Sequence, residues 1–100
     1  MQQLNWSLQQ GTLSLNCAQP PSEEALLAWL SALGKSDHVT VLEVSSGADR
    51  IQAIFRFDGV DCLLQAEYLC ESVWIELLNR QNDFGQIMDR LEKLCQGVSA

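Results

Sequence analysis

Residues 50–67 read RIQAIFRF, then DG, then VDCLLQAE. Two alternating runs flank Asp58-Gly59. A two-residue type I′ turn needs positive φ at both central residues, and Asp-Gly is a favoured pair for it. That turn sets Phe57 opposite Val60, Phe55 opposite Cys62, Ala53 opposite Leu64 and Ile51 opposite Ala66. One face of the hairpin is then wholly apolar. On the other face Arg56 meets Asp61, Gln52 meets Gln65 and Arg50 meets Glu67. Each such pair contributes only about 0.2–1 kcal/mol. Their larger effect is on register, because a one-residue slip puts Phe55 in water and Arg56 in the core. Ile54 opposite Leu63 is the odd pair of the polar face.

Downstream, residues 69–72 turn the chain, and 73–78 reads as a strand from its Val-Trp-Ile start. A turn at Cys70-Glu71 predicts Val73 opposite Tyr68, Ile75 opposite Ala66 and Leu77 opposite Leu64. It also sets Glu67 opposite Trp74, Gln65 opposite Glu76 and Leu63 opposite Leu78. Upstream, 39–45 is a strand with apolar groups on both faces, which implies neighbours on both faces. Its loop to residue 50 holds two or four residues. These four strands form an antiparallel meander.

Leu4, Trp6 and Leu8, then Leu13, Leu15 and Cys17, alternate with polar residues around Gln9-Gln10-Gly11. This reads as a first hairpin with a three-residue loop. Ser22 is an N-cap, with Glu23 and Glu24 at the favourable end of the helix dipole. Leu26, Trp29, Leu30 and Leu33 form one stripe, so a helix spans 22–34 and Gly34 takes the C′ position. Residues 79–82 are a loop. Asp83 caps a second helix, with Gln86 in the capping-box position. Phe84, Ile87, Met88, Leu91, Leu94 and Cys95 form its stripe. Gly97 ends it, and 98–100 frays. The expected fold is α+β, ordered ββαββββα, an antiparallel sheet with two helices packed on one face. Residues 1–100 are expected to be one domain.

Net charge is −7, with thirteen Asp and Glu against six Lys and Arg. That balance disfavours nucleic acid, which needs a basic stripe, and anionic membrane surfaces. No run reaches the ~18 apolar residues of a membrane span. Residues 1–5 lack the basic and apolar regions of a secretory signal. The expected location is cytoplasmic, with Cys17, Cys62, Cys70 and Cys95 reduced. The cysteines show no C-x-x-C spacing, and Cys62 and Cys95 fall at core positions. Cys70 lies beside Glu71, which disfavours a thiolate. His38 sits in a polar loop with only Asp37 adjacent, and reads as solvated. Gly11, Gly47 and Gly59 have turn explanations. No catalytic, cofactor or metal site is legible, and the balance leans away from an enzyme.

The outer sheet face is the informative surface. Val41, Ile54, Leu63, Trp74 and Leu78 fall on it in the expected register, among charged residues and glutamines. Such a row calls for cover. The first hairpin folds over it, bringing Trp6 to Trp74's side, or a second copy covers it, or a separate protein partner does.

The Trp6 hairpin start, the Phe57-Asp58-Gly59 turn and the Cys70-Glu71-Ser72-Val73-Trp74 segment resemble a family of short bacterial proteins of unknown function. That resemblance implies no catalytic residues. In architecture the chain also resembles small dimeric secretion chaperones. It departs from them in the hairpin that precedes its first helix and in lacking their mid-sheet helix. The expected role is a protein-interaction or adaptor module acting through a sheet face or edge, alone or as a homodimer. The alternatives are a ligand-binding domain or enzyme with a pocket between helix 1 and the sheet, and an acidic chaperone-like or immunity protein for a basic partner.

Overall fold

The computed structural model describes residues 4–79 and 81–99. The expectations for residues 1–3, Arg80 and Ala100 fall outside that range. The elements are β1 (Trp6–Gln9), β2 (Thr12–Leu15), α1 (Glu23–Leu33), β3 (Val39–Ser46), β4 (Arg50–Phe57), β5 (Val60–Glu67), β6 (Ser72–Leu77) and α2 (Phe84–Gln96). The order is the expected ββαββββα. The strands form one six-stranded sheet, β1-β2-β6-β5-β4-β3, and every neighbouring pair is antiparallel.

The β4–β5 hairpin has the register that its sequence dictates, residue for residue. Asp58 and Gly59 take φ of 48° and 84°, the positive values a type I′ turn requires. The outward pairs form as well. Arg56 Nε donates to Asp61 at 2.8 Å, Gln52 Nε2 donates to Gln65 Oε1 at 2.7 Å, and Arg50 lies 3.8 Å from Glu67.

Both helices pack on one face. Their stripes share a core with Phe55, Leu64 and Ile75, which are fully buried. Ser22 Oγ accepts from the Ala25 N–H at 3.1 Å, so the N-cap of α1 forms as expected. Gly34 closes α1 at φ −66°, in the right-handed region. The tight spot is spatial instead, since a Cβ there would lie 3.1 Å from Val41 Cγ2, closer than ordinary contact. Asp83 stands at the N-cap of α2 without a side-chain cap bond, so the expected capping box does not form. Val98 is buried in the core rather than frayed.

Four local expectations change. The first hairpin turns on two residues, Gln10-Gly11, at φ 51° and 83°, so it repeats the Asp58-Gly59 geometry without an Asp. It also lies in the plane of the sheet. Leu13 pairs with Ile75 and Ser14 with Trp74, so β2 extends the β6 edge and leaves the outer face uncovered. Trp6 points to the helix side and meets Trp29, ring centroids 5.0 Å apart. The β5–β6 connection uses four residues, 68–71, with Glu71 at φ 52°. The longer turn shifts the β5–β6 register by two residues from the expected one and keeps face parity.

The fourth change is a bulge in β3. Val41 pairs with Phe55 but Glu43 pairs with Ile54, so Leu42 is the extra residue. Val39 and Val41 therefore face the helices, while Glu43 faces out. The apolar groups on both sides of this segment reflect the bulge. They do not mark a strand covered on both faces, because Glu43 and Ser45 lie exposed on the outer face.

Candidate interaction surfaces

The outer face carries fewer apolar groups than expected. Ile54 and Leu63 stay paired and half-buried. The two-residue register shift puts Glu76, not Leu78, beside Leu63. The row across four strands is thus Glu43–Ile54–Leu63–Glu76. Leu78 lies just past β6, 43% exposed, its N–H bonded to Asp61 O at 3.0 Å. Val41 leaves this face altogether because of the bulge. Trp74 remains on it, half-buried, beside Gln65 and Ser14. The structure therefore keeps Ile54 and Leu63 paired, sets Trp74 two residues before their neighbour Glu76 and Leu78 two residues after it, and takes Val41 off this face.

Val41 contributes to a second surface. β3 is an eight-residue edge strand, and Leu42 and Val44 are 45% and 46% exposed. Hydrogen-bonded and non-bonded pairs alternate along antiparallel strands. Counting from the tight turn at Phe57–Val60, the odd residues of β4 bond to β5. Their β3 partners Val41 and Val44 therefore turn their backbone N–H and C=O outward. Among the described residues nothing pairs with these groups. A groove of about 360 Å³ runs alongside, lined by Leu27, Leu30, Gly34, Val41 and Val44, with Lys35 at its rim. The opposite edge is different. β1 has four residues, and the Gln96 side chain caps it as a peptide group would, accepting from Trp6 N at 3.0 Å and donating to Trp6 O at 2.6 Å.

A third cluster was not legible from the neighbours of His38 in sequence. His38 Nδ1 lies 2.8 Å from Asp58 Oδ1, and Arg90 bonds the other oxygen of the same carboxylate. The Arg90 guanidinium sits 5.2 Å from the centroid of the Phe57 ring. The register of β3 and β4 carries the missing signal: Val39 opposite Phe57 brings His38 to Asp58. His38 and Arg90 are more than half exposed. The cluster clamps α2 and the start of β3 to the β4–β5 turn. Among the described residues it brings no nucleophile to His38. Cys62 and Cys95 are buried; burial pushes the Cys62 thiol up to about 12 and the Cys95 thiol up as well. Both are therefore protonated and inert at neutral pH. Among the described residues no group of three or more His, Cys, Asp or Glu could hold a metal ion, and no helix is long and apolar enough to cross a membrane.

Residues 1–96 match the family described as "Protein of unknown function (DUF3630)". The chain belongs to that family. No curated protein matches it, and neither does any solved structure. The family match covers the first hairpin, the meander and both helices through Gln96. The open β3 edge and its groove are thus features of the matched region.

Proposed function

We propose that this chain is a protein-interaction module that accepts an extended segment of a partner polypeptide along the β3 edge. The observation that supports it is the coincidence of an unpaired strand edge with an apolar groove. Val41 and Val44 offer outward backbone groups, and their side chains line the groove with Leu27 and Leu30. Strand addition uses both features, since main-chain bonds give affinity and alternate side chains give specificity. The bulge at Leu42 and the carboxylate of Glu43 guard against indiscriminate pairing. They restrict the added strand to a short stretch. A second copy would bring a further −7 charge to the edge, so a basic segment is the better partner at low salt.

The test is selection of random decapeptides on the protein, followed by Val44→Pro. An edge strand tolerates proline where its N–H faces solvent. The variant therefore keeps the fold and loses the donor for an added strand. Selected peptides should carry apolar residues at alternate positions and bind Val44→Pro at least tenfold more weakly. Peptides that bind both proteins equally would sink the proposal.

A further inference from the structure

Trp6 and Trp29 are 1% exposed, and they meet in the core on the helix side of the sheet. Trp74 is the remaining tryptophan and lies half-buried on the uncovered sheet face. The observed register aligns it with Ser45, Gln52 and Gln65 on one side and Ser14 and Ser7 on the other. This row crosses all six strands without one charged residue. At ~4.8 Å per strand it spans roughly 24 Å. The rows to either side do carry charge: Arg50–Glu67 on one, and Glu43 and Glu76 at the ends of the Ile54–Leu63 row on the other. A shallow groove of about 400 Å³ lies over Trp74, bordered by Gln9, Thr12, Ser14, Glu71 and Ser72.

We infer that this row binds a neutral oligosaccharide, with Trp74 as the stacking platform. The Gln52–Gln65 bond uses one end of each amide. Among the described residues it leaves Gln52 Oε1 as an acceptor and Gln65 Nε2 as a donor. Serine hydroxyls act in both senses, as do the hydroxyls of a sugar. The indole supplies a flat apolar surface for the C–H face of a pyranose ring, and a polar edge. The row itself carries no charge, and the carboxylates of Glu67, Glu71 and Glu76 around it repel an anionic ligand. A peptide finds no unpaired main chain on a sheet face, whereas the β3 edge offers one. The inference goes beyond the proposed strand-binding role and does not depend on it.

Acrylamide quenching reads this site directly, because the two core tryptophans are shielded. The probes are maltohexaose, cellohexaose and chitohexaose. At least one should protect Trp74 half-maximally at or below about 1 mM, an ordinary weak affinity. Titration calorimetry with that probe should show binding lost in Trp74→Ala and weakened at least tenfold in Gln65→Ala, which leaves the ring in place. Val44→Pro should bind it unchanged. The inference is overturned if no probe protects Trp74 at about 10 mM. It is equally overturned if binding survives in Trp74→Ala, or if Gln65→Ala binds at full strength.

Discussion

Replacing Phe55 and Ile54 in turn with alanine tests the whole assignment of faces, because the two residues are neighbours on one strand. Phe55 is fully buried between Val41 and Cys62. Truncating a buried Phe costs about 3–5 kcal/mol, from lost transfer energy and from the cavity left behind. That is a large share of the ~5–15 kcal/mol that holds a typical domain together. At roughly 4–8 °C per kcal/mol for a chain of this size, Tm falls by at least about 12 °C. Ile54 lies between Glu43 and Leu63 on the uncovered face and is half-buried. It gains about half of the 1.5–3 kcal/mol that full burial supplies, so its truncation costs about 1 kcal/mol. Urea titrations followed by fluorescence, at two protein concentrations tenfold apart, measure both. If Ile54→Ala costs as much as Phe55→Ala, the account of an open outer face is wrong. A cost that grows with protein concentration would identify a second copy as the cover.

Gly34→Ala should destabilise by about 1 kcal/mol through contact with Val41 Cγ2 at 3.1 Å, and most of that loss should vanish in a Val41→Ala background. Gly59→Ala, at φ +84°, should cost about 1–2 kcal/mol, while Asp58→Asn at the preceding position should keep the turn and lose less than about 1 kcal/mol with its ion pairs. A thiol reagent at pH 8 should label Cys17 and Cys70 promptly, and Cys62 and Cys95 only on unfolding. Because the Cys62 thiol is raised from 9.0 to about 12 by folding, the unfolded chain loses that proton first. Its contribution to stability is intact below pH 9 and declines between about 9 and about 12, by up to about 1.4 kcal/mol per pH unit. Urea midpoints across pH 8–11 should show this slope, shallower in Cys62→Ala.

The central hairpin was legible because turn chemistry, apolar alternation and cross-strand charges all specify one register. Both helices were legible from their stripes. The β5–β6 register was not, because Glu71 takes a positive φ that its residue type does not announce. The bulge at Leu42 has no residue signature either. It was visible only as an apolar pattern that fitted neither face. The placement of the first hairpin was open for a different reason. Leu13 and Trp6 demand burial, and either an in-plane or a folded-over hairpin satisfies them. What decides is the edge of β6, which β2 pairs in register, and the Trp6–Trp29 contact on the helix side. The same kind of gap hid the partner of His38, since Asp58 is brought there by strand pairing alone. As a result Val41 leaves the outer face, and Leu78 stands beside Asp61 instead of Leu63. The strand-edge groove became visible only once the bulge did.

The pairing of β2 with β6 also sets an order of events. Leu13 joins Ile75, and Gln96 then bonds both backbone groups of Trp6. During synthesis at ~5–20 residues per second, the first hairpin waits several seconds for the strand it must join. An isolated hairpin is marginally stable in water. The meander of β3 to β6 needs only local contacts and can assemble as soon as it is made. Of these elements the first hairpin is therefore made earliest and is among the last to be secured, and the amide of Gln96 fastens it.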